Sequence, residues 1–169
     1  NNKSVLKKLN LFFKITKEKN EVDLEELFKA LENLKKNKTG ALIVFERNSN
    51  LDFVKADGDT LNANISAPLI ESIFFKNSPL HDGALIIEGN SITSSRVTLP
   101  LSKKKLNKSY GLRHKAGVGI TEDTDAISIV VSEETGKISY IKNGEFIEFK
   151  NNEQLRDFLL DDLDRKSVV

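Results

Sequence analysis

The apolar run Gly40-Ala41-Leu42-Ile43-Val44-Phe45 constrains the fold more than any other part of the sequence. It is rich in β-branched and aliphatic residues, and its length suits a strand better than a helix. An uninterrupted run of this kind is typical of a central strand buried on both faces. We therefore expect a sheet whose middle lies inside the protein, with other elements covering each side.

Several other segments of strand length are bounded by turn signals. The pairs Gly89-Asn90 and Asn143-Gly144 are typical two-residue hairpin connections. A hairpin requires antiparallel neighbours, so much of the sheet should be antiparallel. The segments predicted as strands, in addition to 40–45, are residues 51–55, 84–88, 91–99, 126–132, 137–142 and 145–149.

Helical periodicity separates these strands. Asp23 is a predicted N-cap, with Glu26 reaching back in a capping box, and Ser66 is a second predicted N-cap. Helices are predicted over residues 4–16, 24–38, 66–74, 113–120 and 153–163. Because strands and helices follow no steady βαβ rhythm, we predict an α/β (α+β) fold in which helices flank a twisted, mixed, mostly antiparallel central sheet.

Length and composition limit the function classes. At 169 residues the chain fits a single domain, assigned to residues 21–169, with an N-terminal helical extension over residues 1–20. This extension either packs on the domain, which we favour, or is a stub that follows a membrane segment. The formal net charge of +1 argues against a nucleic-acid partner, and the absence of cysteine excludes thiolate chemistry. No apolar run approaches the roughly 20 residues of a membrane-spanning helix.

The stretch Pro79-Leu80-His81-Asp82-Gly83-Ala84 is the first candidate site. It leads directly into a predicted buried strand, where Asp82 would hold a carboxylate over a pocket. Gly83 allows a turn and a close approach of the backbone to a ligand. His81 is a second candidate metal ligand. An Asp-Gly pair alone is most often a plain turn.

A second candidate site is the basic segment Gly111-Leu112-Arg113-His114-Lys115. It lies at the predicted start of a helix, where free N–H groups and the dipole favour phosphate. Arg113 adds a planar fork of donors and Lys115 a compact charge. Taken alone, exposed basic residues of this kind are usually only solvated.

Taken in order, Leu80–Ala84, Leu99-Pro100-Leu101-Ser102, Arg113-His114-Lys115 and Ser132–Lys137 closely resemble the motifs of the diadenylate cyclase family. The resemblance extends from about residue 40 to residue 143. Lys115 stands where the family usually has Arg, and Leu112 where Thr is usual. The resemblance implies condensation of two ATP into cyclic di-AMP with release of two pyrophosphates, on a twisted mixed sheet wrapped by helices.

The resemblance, together with the chemistry of the side chains, also assigns roles to residues. The expected catalytic residues are Asp82, Arg113 and His114, and the expected metal ligands for Mn²⁺ or Mg²⁺ are Asp82 and His81. Leu99 is expected to line the adenine slot. The residues expected to bind ATP are Gly83, Ala84, Leu99, Leu112, Arg113, His114, Lys115, Ser132, Glu133 and Glu134.

The symmetry of the product predicts a partner. Two attacks in opposite directions require two ATP molecules, which a face-to-face homodimer would supply. Many family members carry membrane helices before this domain, so we expect attachment to the cytoplasmic side of a membrane through an upstream segment. The alternative is a non-catalytic nucleotide-binding regulatory module with the same pocket. An RNA-binding domain is disfavoured by the near-zero net charge.

Overall fold

The structure is a computed structural model that describes residues 2–20 and 22–164, with side chains described for all of these except 13–20. The helices are α1 Asn2–Asn20, α2 Leu24–Lys36, α3 Asp52–Lys55, α4 Ala67–Phe74, α5 Leu112–Asp123 and α6 Asn152–Asp164. The strands are β1 Ala41–Phe45, β2 Asp59–Asn64, β3 Ala84–Glu88, β4 Ser91–Val97, β5 Ile127–Val131, β6 Ile138–Lys142 and β7 Glu145–Ile147.

The strands form one sheet in the order β2-β4-β3-β1-β5-β6-β7. Strands β1 and β3 pair in parallel, with Ile43 opposite Leu85. The remaining neighbours in the described sheet pair antiparallel, including β1 with β5. The prediction of a mixed, mostly antiparallel sheet flanked by helices is therefore confirmed.

The central strand β1 is buried on both faces, as its sequence predicts. Ile43 and Phe45 face a core that α2, α4 and α6 complete. Leu42 and Val44 face a second core, formed with α3 and α5. Gly117 lets α5 approach the sheet closely, because a Cβ there would lie 3.0 Å from Ile141 Cδ1 and 3.2 Å from Val130 Cγ2.

The predicted caps form, although the capping box does not. Asp23 Oδ1 accepts from the Glu26 N–H at 3.1 Å, and Ser66 Oγ accepts from the Leu69 N–H at 3.5 Å. The Glu26 carboxylate does not reach back to Asp23 but accepts from the Ala67 N–H at 2.8 Å. That prediction was wrong because the orphan N–H groups of α4 compete for the same carboxylate.

The predicted strand over residues 51–55 is wrong, since residues 52–55 form α3. Buried Glu46 accepts from the Leu51 N–H at 2.5 Å, and Lys55 bridges Glu46 and Glu88 at 3.2 and 2.7 Å. These long-range bonds turn a segment with strand-like composition into a helical turn. Strand β2 was missed because its residues alternate between half-buried and exposed and are mostly polar.

Helix α1 forms, but the expected packing of this extension on the domain is not seen in the described side chains. Val5, Leu6 and Leu9 are 56%, 58% and 44% exposed. No helix in the described residues is both long and apolar enough to cross a membrane. Residues 21 and 165–169 of the predicted domain lie outside the described residues.

Candidate active site

A cleft of about 920 Å³ opens at the edge of the sheet where β1 and β3 begin and β5 ends. The loop before β3, the start of α5 and the turn after β5 form its walls. Residues of the three motif regions line it together: Ser78, Pro79, His81, Asp82, Gly83, Gly111, Leu112, Arg113, His114, Ser132, Glu133 and Glu134. Further lining residues are Leu42, Arg96, Val97, Thr98, Leu99, Leu101, Lys108, Ser109, Tyr110, Ala116 and Val131.

Gly83 is held in a conformation that favours glycine, with φ of 114°. A Cβ on Gly83 would lie 2.8 Å from the carbonyl carbon of Arg96 and 2.8 Å from the carbonyl oxygen of Val97. Strand β4 therefore occupies the space beside Gly83, and the close approach of a ligand stays a prediction. The exposed Asp82, directly before this glycine, lines the cleft.

The ring of His81 is oriented by a bond to its own loop. Its Nδ1 lies 2.6 Å from the carbonyl oxygen of Ser78, and a carbonyl can only accept, so Nδ1 carries the hydrogen. The Nε2 of neutral His81 therefore has a free lone pair. This is the form of imidazole that binds a metal or accepts a proton.

His114 has the opposite arrangement. Its Nδ1 accepts from the Gly111 N–H at 3.2 Å, so the hydrogen of the neutral ring lies on Nε2. Burial, with the charges of Arg113 and Lys137, lowers the pKa of His114 to about 4. His114 is therefore a neutral hydrogen-bond donor near pH 7.

An aromatic stack supports His114 from behind. The Tyr110 ring lies 4.6 Å from the His114 ring and 4.4 Å from the Phe146 ring, with the two benzene rings nearly parallel. Such pairs favour one ring orientation. The stack connects the start of α5 to strand β7 and restrains the direction of the His114 Nε2–H.

Arg113 lies half-buried in a space that Gly40 provides. A Cβ on Gly40 would lie 2.5 Å from Arg113 Nη1. The guanidinium pairs with Glu133 at 3.3 Å, while its buried Nε has no hydrogen-bond partner among the described residues. Buried donors are nearly always satisfied, so this N–H is suited to an oxygen of a bound ligand.

Ser132 closes the turn that forms the opposite wall. Its hydroxyl oxygen accepts from the N–H groups of Glu134 and Thr135, both at 3.3 Å, and its carbonyl accepts from the Gly136 N–H at 2.9 Å. The turn presents Glu133 and Glu134 as exposed carboxylates at the cleft.

Two predicted ATP-binding residues do not line the cleft. The Ala84 side chain is fully buried in the second core, because β3 is already covered on both faces at that point. Lys115 lies between the lining residues His114 and Ala116 but does not line the cleft itself, and its carbonyl accepts from the Ser102 N–H at 3.0 Å. Leu112 lines the rim and is 70% exposed.

Other residues of the cleft were missed in the sequence. Arg96, Lys108 and Tyr110 line it, and Gly40 shapes it from behind. The one sequence signal for Gly40 was its position directly before the most apolar strand. The loop lysine Lys104 does not line the cleft, and it bonds the Gly144 carbonyl at 3.0 Å.

The donors at the cleft suit a divalent cation that is shared with a ligand. Asp82 offers carboxylate oxygens, and His81 offers Nε2. Among residues 2–20 and 22–164, no group of three or more His, Asp or Glu side chains is arranged to hold an ion. Mg²⁺ is commonly held by one or two carboxylates together with substrate phosphates, so this donor set fits such an ion.

Comparison with known proteins gives concordant matches. A family model described as DisA bacterial checkpoint controller nucleotide-binding, abbreviated DAC, matches residues 28–146. The diadenylate cyclase CdaS of Bacillus thuringiensis is 47% identical over 116 residues, which is 68% of this chain and 58% of that protein. A diadenylate cyclase of Listeria monocytogenes is 46% identical over 141 residues, 83% of this chain and 52% of that protein.

Solved structures agree with the sequence relatives. A double mutant of DacA from Staphylococcus aureus superposes with a TM-score of 0.79 at 41% identity, covering 82% of this chain and 93% of that one. A hypothetical membrane spanning protein from Bacillus cereus gives a TM-score of 0.73 at 42% identity, covering 78% and 65%. The chain spans about half the length of the curated relatives it matches, 58% and 52% of the two named above.

Proposed function

The chain belongs to the diadenylate cyclase family, and we propose that it condenses two ATP molecules into cyclic di-AMP, releasing two pyrophosphates. One observation carries the proposal: a single cleft brings together Asp82, the start of α5 and the turn after Ser132. These segments are far apart in sequence, and they carry the motifs by which the chain resembles the family. Because they line one cleft, they can act on one bound ligand.

The reaction needs positioning and charge neutralisation more than covalent catalysis. The 3′-oxygen of one ATP forms a bond to the α-phosphorus of the other, and the bond from that phosphorus to the bridging oxygen of pyrophosphate breaks. The hydroxyl proton must leave, and Asp82 at the cleft mouth is the base we assign to it. Repeating the step in the opposite direction closes the ring.

The donors of α5 are assigned to the phosphates. The Arg113 Nε–H has no partner among the described residues, and the His114 Nε2–H is a neutral donor held by the Tyr110 stack. Preorganised donors of this kind stabilise charge that develops on a leaving group. Because His114 is neutral near pH 7, we assign positive charge at this wall to Arg113 and not to the imidazole.

The proposed reaction requires a divalent ion. We propose that Asp82 and the Nε2 of His81 would hold it, with substrate phosphates as further ligands. When bound, such an ion lowers the pKa of a hydroxyl and neutralises phosphate charge. Oxygen ligands suit Mg²⁺ and Mn²⁺, and an imidazole nitrogen favours Mn²⁺ between the two. Titration with each ion in the presence of ATP distinguishes them.

The test of the proposed function is incubation with ATP and Mn²⁺ or Mg²⁺, followed by chromatography for cyclic di-AMP. Accumulating product supports the proposal. ATP binding without product, at protein concentrations where dimers form, would instead favour the non-catalytic regulatory module. Absence of ATP binding would reject both.

A homodimer that faces its two clefts towards each other is part of the proposal. Specific activity should then rise with protein concentration until dimers saturate. Mixing wild-type chain with Asp82→Asn should stall at a linear intermediate, since a mixed dimer closes one bond only. A rate strictly proportional to concentration, where sedimentation shows monomer alone, would reject this arrangement.

Attachment of the longer protein to the cytoplasmic side of a membrane is also proposed. A neighbour in structure is described as a membrane spanning protein, which supports the idea. Fractionation of cells that express the natural protein tests it, and recovery entirely in the soluble fraction would contradict it.

A further inference from the structure

Arg96 has an unusual backbone beside the candidate catalytic loop. Its φ is 52°, at a point where the register between β3 and β4 shifts. A left-handed conformation is uncommon in a residue that carries a side chain, and it is often found at functional sites. Arg96 is also the immediate neighbour of Gly83, whose added Cβ would lie 2.8 Å from the Arg96 carbonyl carbon. The strained residue therefore adjoins Asp82.

The Arg96 side chain lines the cleft and is held at one nitrogen. Its Nε donates to Asp59 Oδ2 at 2.7 Å, from the neighbouring edge strand β2. Among the described residues, this is the only bond made by the guanidinium. Holding Nε fixes the plane of the group and leaves both Nη atoms free. Those atoms form the fork that binds phosphate in a bidentate manner.

A structural role does not account for an arginine at this position. Arg96 and Asp59 are 47% and 41% exposed, and exposed ion pairs contribute little to stability. The pairing lowers the pKa of the Asp59 carboxyl, so both groups stay charged near pH 7. Glycine or asparagine would adopt the left-handed backbone more easily.

The other charged side chains of the cleft indicate what the Arg96 guanidinium binds. Asp82, Glu133 and Glu134 are carboxylates that a polyphosphate must approach. On the α5 side Arg113 offsets them, but it is already paired with Glu133. The other described cations of the cleft lining are Lys108 and Arg96, and Arg96 is the one that adjoins the Asp82-Gly83 loop. A triphosphate bound beside Asp82 therefore lies next to the positive charge of Arg96.

We propose that Arg96, oriented by Asp59, is a phosphate-binding residue for the triphosphate of a nucleotide on the Asp82 side of the cleft. The inference rests on the proposed function, because it takes the ligand to be a nucleoside triphosphate. Arg96 would act on the phosphate chain and not on the adenine or ribose.

The experiment compares ATP with adenosine, each titrated calorimetrically with Mg²⁺ present. Arg96→Asn removes the guanidinium and keeps a residue that tolerates the left-handed backbone. We expect it to weaken ATP binding about tenfold, as loss of charged hydrogen bonds does, and adenosine binding by less than about twofold. Lys105→Ala, an exposed loop lysine outside the cleft, is the matched control and should leave both affinities unchanged.

Asp59 is tested in the same way. Asp59→Asn should weaken ATP binding less than Arg96→Asn does, and the double variant should be no weaker than Arg96→Asn alone, because Asp59 acts only through Arg96. Tighter ATP binding by Asp59→Asn would overturn the orienting role. Unchanged ATP affinity in Arg96→Asn, or equal losses for ATP and adenosine, would overturn the proposal.

The titration separates this inference from the proposed function. A wild-type chain that binds ATP but makes no cyclic di-AMP refutes the cyclase activity, while the Arg96 comparison still decides the phosphate contact. A wild-type chain that binds no ATP refutes both.

Discussion

Gly40→Ala should impair catalysis without unfolding the protein. The added methyl would lie 2.5 Å from Arg113 Nη1 and 2.9 Å from its Cζ, whereas ordinary contacts begin at 3.4 Å. The guanidinium must therefore move by about 0.9 Å, the difference between these distances. It can do so cheaply, because it is the end of a flexible side chain. The variant thus displaces the proposed phosphate donor while the strand remains in place.

The magnitude follows from that displacement. A misplacement of about 1 Å can lower a rate about 100-fold, so we expect kcat/KM to fall about 30-fold, or about 2 kcal/mol. Gly40 does not have a positive φ, so alanine is permitted there. Replacing such a glycine stabilises a protein by about 0.4–1 kcal/mol, which should offset the crowding and keep Tm within about 3 °C.

The assay is cyclic di-AMP formation at several ATP concentrations, with thermal unfolding in parallel. Arg113→Ala should cost about 3 kcal/mol, the loss of one preorganised donor. Adding Gly40→Ala to Arg113→Ala should then cost little more, because the methyl no longer meets a guanidinium and only the milder contact with Glu133 Cβ, at 3.2 Å, remains. Full activity of Gly40→Ala, or losses that add in the double variant, would refute the reasoning.

Three further predictions concern other residues of the cleft. Asp82→Asn should abolish product in the chromatographic assay while leaving ATP affinity within about tenfold, since Asp82 is assigned to the proton and metal; normal turnover would contradict the assignment. Lys115→Arg should keep kcat/KM within about threefold, because the Lys115 side chain does not line the cleft, and a larger loss would place it at the phosphates. The folded pKa of His114 is about 4 against an ordinary 6.5, so its stabilising contribution is complete above pH 6.5 and is lost as pH falls towards 4. Urea unfolding should show a loss of up to roughly 3 kcal/mol across that window, reduced in His114→Asn; equal pH slopes for the two proteins would contradict it.

Local signals predicted much of the fold because their causes are local. Asn143 and Gly144 both have positive φ, 53° and 73°, as the hairpin sequence requires. Ser66 and Asp23 cap the helices that follow them. In each case the residue type and its immediate neighbours determine the backbone, so the sequence alone carries the information.

The failures share a long-range cause. The turn at α3 depends on two carboxylates that reach Lys55, those of Glu46, directly after β1, and Glu88, at the end of β3. Glu26 leaves its own helix to satisfy the Ala67 N–H. Competition of this kind between distant partners is invisible to periodicity, and it changes both the type and the boundary of an element.

The motifs of the site could be recognised in the sequence, but their relative positions in space could not be predicted from it. The strand order places β1 between parallel β3 and antiparallel β5, so the start of β3 and the end of β5 meet at the start of β1. That meeting point puts Gly40 behind Arg113 and turns Glu133 towards its guanidinium. A residue such as Gly40 therefore acquires its role from a neighbour in space and not from its own motif. The same holds for Arg96, which becomes a cleft residue because β4 contacts Gly83 and β2 supplies Asp59.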